Sequence, residues 1–232
     1  MPKRSTAGTA VLACLIMGAA VTGCTGSGTS EELSADQLLD DANEAMSGLK
    51  SVTIDTVIQM TGGDDWSGHL VTDLKGTCAY TTAAATGGAR LEQLRIGGTD
   101  YVRPNRAYLK ASGLKMTSTD EQKRWIKTPA GESKPGDGLS RCTHAFTSFG
   151  EATKGEASEI DGTPAVALKV ADEESEGGSY VFHVATEGKP YILEVVYKDA
   201  EFDSVTSFSA FDEPLDVRPP DESEVVDTGG TG

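Results

Sequence analysis

Long apolar runs are nearly absent from this 232-residue chain, and the one that exists is over by residue 21. No later stretch approaches the roughly 20 apolar residues that a membrane-crossing helix requires. Bases are scarce as well: 20 Lys and Arg stand against 36 Asp and Glu, a net charge of −16. A surface this acidic repels nucleic acid and anionic headgroups, and no polybasic patch is available to hold a membrane. Aromatic residues make up 6% of the chain, so a core has to be built from Leu, Ile, Val and Ala. Three histidines, His69, His144 and His183, are scattered and none sits in a metal-ligand spacing. There is no GxGxxG, P-loop or GxSxG, and the SxxK formed by Ser47 and Lys50 has no partner motif after it. The acidic run of Asp172, Glu173, Glu174 and Glu176 lacks EF-hand order and reads as a solvated turn. No catalytic group, cofactor or metal is expected.

Cysteine is rare, and the four residues have three readings. Lys3 and Arg4 precede an apolar run over residues 10–21, the layout of a secretory signal. Val21-Thr22-Gly23-Cys24 closes it and is similar to the bacterial lipobox. That resemblance implies cleavage before Cys24 and transfer of diacylglycerol to its thiol, with Cys14 lost in the signal. Residues 1–23 are then the signal peptide and 24–33 the lipidated Cys and a flexible tether of roughly 17–19 Å reach. The implied location is the extracytoplasmic face of a bacterial cell membrane. Losing residues 1–23, which hold two bases and no acid, deepens the net charge to about −18. Attachment then depends on acyl chains, at about 0.8 kcal/mol per buried methylene. Cys78 and Cys142 remain, an even pair in a secreted chain without CxxC spacing, and are expected to form a disulfide.

Periodicity divides the rest. Ser34 and Gln37 form a capping box ahead of Leu38, Leu39, Ala42, Ala45, Met46 and Leu49, one apolar stripe of a helix ending near Gly48. From residue 51 the period drops to two, and strands are expected over 51–60, 66–74, 76–82, 89–96 and 99–102. Residues 104–113 suit a short helix, 115–138 a long polar loop anchored only by Trp125 and Ile126, and 139–149 a short helix carrying Cys142. A second meander follows over 154–160, 163–170, 179–185, 190–197 and 205–211, its first turn marked by Asp161-Gly162. Residues 219–232, acidic and rich in Gly and Thr, read as a disordered tail after a domain over 34–218. The expectation is an α+β fold: a large curved antiparallel sheet of nine or ten strands, covered by one long and one or two short helices.

The lipobox, the phrase Leu38-Leu39-Asp40-Asp41-Ala42, the strand opening Ser51-Val52-Thr53-Ile54, the segment Gly97-Gly98-Thr99-Asp100-Tyr101-Val102 and the closing segment from Phe211 to Pro220 together resemble the actinobacterial LppX/LprG-type lipoproteins. Those share a fold with the LolA and LolB carriers. The resemblance implies a half-open β-barrel over an apolar cavity, binding acylated lipid or glycolipid for carriage within the envelope. The residues expected to line such a cavity are Leu39, Met46, Val52, Ile54, Ile58, Leu70, Leu168, Phe182, Leu193 and Val195. A filled core has the same alternation. The competing reading is a non-carrier envelope sensor or protein-interaction module, its partner unknown, on the same fold.

Overall fold

The computed structural model describes residues 33–113, 124–130, 138–147, 150–172, 175 and 177–227. The signal segment, Cys24, the tether, most of the 115–138 loop and residues 228–232 lie outside the described residues. Helix α1 (Ala35–Ser47) starts where the capping box places it: the Ser34 hydroxyl accepts from the Gln37 N–H, and the Gln37 side chain accepts from the Ser34 N–H. The first meander follows as β1 (Val52–Met60), β2 (Trp66–Thr72), β3 (Cys78–Ala84), β4 (Arg90–Ile96) and β5 (Thr99–Pro104). Helix α2 (Arg106–Ala111) and β6 (Trp125–Pro129) come next, then a 3₁₀ helix, Gly138–Thr143. The second meander is β7 (Ala152–Ile160), β8 (Thr163–Ala171), β9 (Ser179–Ala185), β10 (Ile192–Lys198) and β11 (Phe202–Ser209), and the described chain ends in β12 (Val225–Asp227).

The twelve strands among the described residues form one sheet, ordered β12-β6-β5-β4-β3-β2-β1-β11-β10-β9-β8-β7. The two meanders grow from opposite ends of the chain and meet where β1 pairs with β11, Thr53 opposite Ser209. A twisted sheet of this width curls, and it stays open, with β7 and β12 as its two edges. This is the half-open α+β architecture expected. At Asp161-Gly162 both φ angles are positive (48° and 82°), as a two-residue hairpin turn of matching twist demands.

The core fills half of the concave face. Leu39, Ala42 and Met46 of α1, with Leu49 just past its end, pack onto Val52, Ile54, Leu70, Leu168, Val170, Phe182, Val184, Ile192 and Phe208. The helix reaches β7, β9 and β10, and the Asp36 carboxylate accepts the Ala152 N–H at 2.7 Å, pinning its first turn to β7.

Three expectations need correcting. The tail is ordered as far as Asp227: Val225, Val226 and Asp227 pair in parallel with Trp125, Ile126 and Lys127 and cover the free edge of β6. Backbone pairing ignores side-chain composition, which is all the reading of disorder rested on. That pairing partner, β6, lies inside the segment expected to be loop. The third concerns β10, where the register slips between Ile192 and Glu194. The additional residue reverses the alternation, so Ile192 and Val195 pack with the main core while Leu193 joins a separate cluster with Ala165 and Ala185.

Candidate functional site

Residues paired directly across adjacent strands point to the same side of a sheet. One such row runs Phe208, Ile54, Leu70, Tyr80, Gln93, Val102, Ile126 from β11 to β6. Its first three members are buried in the core under α1. From Tyr80 onward the same face borders a cavity of about 680 Å³. The floor is Tyr80, Gln93, Val102 and Ile126 with a second row of Thr82, Leu91 and Pro104, and Trp66 also lines it. The other walls come from Tyr108, Leu109, Ala111 and Ser112 of α2 and its C-terminal end, and from Gly138.

Among the described residues, only short helices stand over this half of the face. Six-residue α2 lies against β4 and buries no side chain completely, so its Tyr108, Leu109 and Ala111 face the hollow unfilled. Asn105 holds it there: its Oδ1 accepts the N–H groups of Tyr108 (2.8 Å) and Arg90 (3.1 Å), and its Nδ2 donates to the Gly88 carbonyl (2.7 Å). We expect Asn105→Ala to cost about 1 kcal/mol through the lost cap. Hydrogen exchange should quicken at Arg106–Ala111 and leave α1 unchanged; equal exchange in both variants would remove Asn105 from this role.

The opposite wall is stapled. Cys78 and Cys142 are disulfide-bonded, with Cα atoms 5.5 Å apart, tying the 3₁₀ helix to β3. The Thr72 hydroxyl donates to the Cys142 carbonyl at 2.6 Å and accepts the Leu74 N–H at 2.9 Å. Arg95 makes a bidentate pair with Asp100, at 2.7 and 2.8 Å, and its remaining guanidinium nitrogen donates to the Leu139 carbonyl at 3.1 Å. The Asp73 carboxylate steadies the β2–β3 turn. Its partial burial works to raise the carboxyl pKa, but the N–H groups of Lys75, Thr77 and Gly76 outweigh that and leave it below the ordinary carboxylate value.

Among the described residues that line the cavity, none carries a charge at neutral pH. A second hollow of about 440 Å³ lies at Tyr101, Lys127, Pro219, Pro220, Glu222 and Val225, on the other face of β5 and β6, and its charged residues set it apart. The histidines stay dispersed: His69 contacts Asp55 at 2.7 Å and His183 contacts Ser158 at 2.9 Å. His144 packs edge-on to Phe146, and burial, with Arg141 nearby, lowers its pKa. Among the described residues no cluster of three or more His, Cys, Asp or Glu could hold a metal ion, and no helix is long and apolar enough to span a bilayer.

None of the ten residues expected to line a cavity touches the 680 Å³ one. Leu39, Met46, Val52, Ile54, Leu70, Leu168 and Phe182 belong to the filled core and Val195 packs against it; Leu193 sits in the separate cluster, and Ile58 is half-buried opposite Trp66 and Ser204. The lining set that periodicity missed had a usable signal in part. Leu91, Gln93 and Val102 alternate on expected strands, but nothing in the pattern separates them from the core.

The geometry is an open sheet with helices on its concave side and a hollow beneath the shorter one. No protein-family model matches the chain, and no curated protein matches it by sequence. Among solved structures, LprF from Mycobacterium bovis superimposes with a TM-score of 0.52 at 14% identity, over 80% of this chain and 96% of that one. The Mycobacterium tuberculosis lipoprotein LppX aligns at 0.41 and 13% identity, over 78% and 98% of the two chains. A LolA superfamily protein from Nitrosomonas europaea aligns at 0.30 and 13%, over 81% and 96%. The fold is that of the LprF structure; at 14% identity the likeness is one of fold.

Proposed function

We propose that this protein is an extracytoplasmic lipoprotein, anchored through diacylglyceryl-Cys24, that holds an acyl chain of a lipid or glycolipid in the 680 Å³ cavity and carries it within the envelope. The observation that carries this reading is the cavity itself: preformed, without charge among its described lining residues, and of the volume that ligand sites occupy. Transfer of alkyl surface into it is favourable by about 25 cal/mol per Å². No catalytic group is needed, and the fold shared with LprF is compatible with the role.

The test is native mass spectrometry of the lipid co-purifying with the protein. Val102→Asp places a carboxylate on the floor and should abolish that lipid, whereas Asp at exposed Val57 should not. In cells, Cys24→Ala should move the folded, disulfide-bonded domain from the membrane fraction to the medium; retention on the membrane would remove the anchor from the reading.

One observation favours the second reading, a protein-interaction module. Val57, Val205, Val196 and Val181 oppose one another across β1, β11, β10 and β9 on the convex face, with Val57 49% and Val205 36% exposed. Protein purified free of lipid, with no uptake by the cavity, would support that alternative.

A further inference from the structure

We infer that the cavity takes a single alkyl chain lying across β3 to β6, methyl end inward, and that Tyr80 is the stop that sets the length of chain accepted; this rests on the lipid-holding reading above. Tyr80 occupies both environments, since it packs against the core cluster and lines the cavity. Behind it in the same row stand Leu70, 2% exposed, then Ile54 and Phe208, all inside the filled core. A chain entering from β6 therefore meets space as far as Tyr80 and close-packed side chains beyond it. From β6 to β3 there are three strand spacings, roughly 14 Å in all, a medium length of extended alkyl chain.

The ring is seated in a slot on its far side from the cavity. It lies between two glycines: a Cβ on Gly68 would be 3.0 Å from the Tyr80 hydroxyl oxygen, and a Cβ on Gly138 would overlap the ring. Gly138 opens the 3₁₀ helix that the Cys78–Cys142 bond and the Arg95 contact to Leu139 hold in place. Side chains absent at two positions leave the slot that the ring fills, and a cross-linked wall keeps the slot in position. With no charge among the described lining residues, a carboxylate or phosphate headgroup would lose its hydration against them without compensation, so the headgroup stays at the mouth.

The test uses the intact lipidated protein in bilayer discs with saturated fatty acids of increasing length, each carrying a diazirine at its methyl end. Photolabelled peptides are then mapped. In the wild type, labelling should converge on Tyr80 and Gly138 as length increases and then fall away past a cut-off. Tyr80→Ala should move the cut-off to chains longer by several carbons, and Tyr80→Phe should leave it unchanged. Gly138→Ala pushes the ring into the cavity and should shorten it, which keeps the question decidable if Tyr80→Ala does not fold. Cavity labelling with one common cut-off in all variants would overturn the stop and leave the lipid-holding reading standing. Absence of labelling on the lining at every length in the wild type would overturn both.

Discussion

Replacing Cys78 and Cys142 together by Ala is expected to lower the unfolding free energy by about 4 kcal/mol, the loop-closure value for a cross-link of this sequence separation. For a domain of this size that is a fall in Tm of roughly 10 °C. The loss should be uneven across the molecule. The staple joins β3 to the 3₁₀ helix, so hydrogen exchange should rise first around Gly138–Thr143, where Leu139 (1% exposed) and Cys142 (0%) are buried. Helix α1 and the β8–β10 core have no covalent dependence on it and should keep their protection until global unfolding. A double-Ala variant within about 1 kcal/mol of wild type would mean that noncovalent contacts already hold this wall.

Asp100→Ala is the second large effect, an expected loss of about 3–5 kcal/mol in urea unfolding, because it strands a charge whose partner was buried. The Asp100 side chain is 4% exposed and that of Arg95 18%, so the guanidinium left behind has little access to water. Arg95 also donates to the Leu139 carbonyl, which couples this pair to the segment that the disulfide staples. Combined with the double-Ala variant, the two losses should therefore be non-additive, with an interaction energy of at least about 0.5 kcal/mol. Strict additivity would show that the ion pair and the cross-link stabilise separate parts of the fold. Asp100 lies in the Gly97–Val102 segment that contributed to the sequence resemblance, yet its task of holding Arg95 against Leu139 is visible only once β4, β5 and the 3₁₀ helix are side by side.

Much of the architecture was legible along the chain because it rests on neighbours in sequence. The capping box starts α1, Asp161-Gly162 turns β7 into β8, and alternation marks the strands of both meanders. Errors arose where a distant strand or a single additional residue decided the outcome. Val225–Asp227 is ordered because β6 leaves an edge to pair with, and Leu193 leaves the main core because the β10 bulge shifts parity by one.

The sequence by itself determined the fold class, the helix that covers the sheet and the pairing of Cys78 with Cys142. It also determined which alternating set faces inward on most strands, since burial of one face of a strand follows from a period of two. Tertiary structure alone decided where that inward face is filled and where it is hollow. Leu70 and Tyr80 are direct cross-strand neighbours of the same orientation, yet one is core and the other borders the cavity. The difference lies in what stands opposite. Three buried apolar side chains of a thirteen-residue helix, with Leu49 just past its end, fill one half, and a six-residue helix leaves the other open.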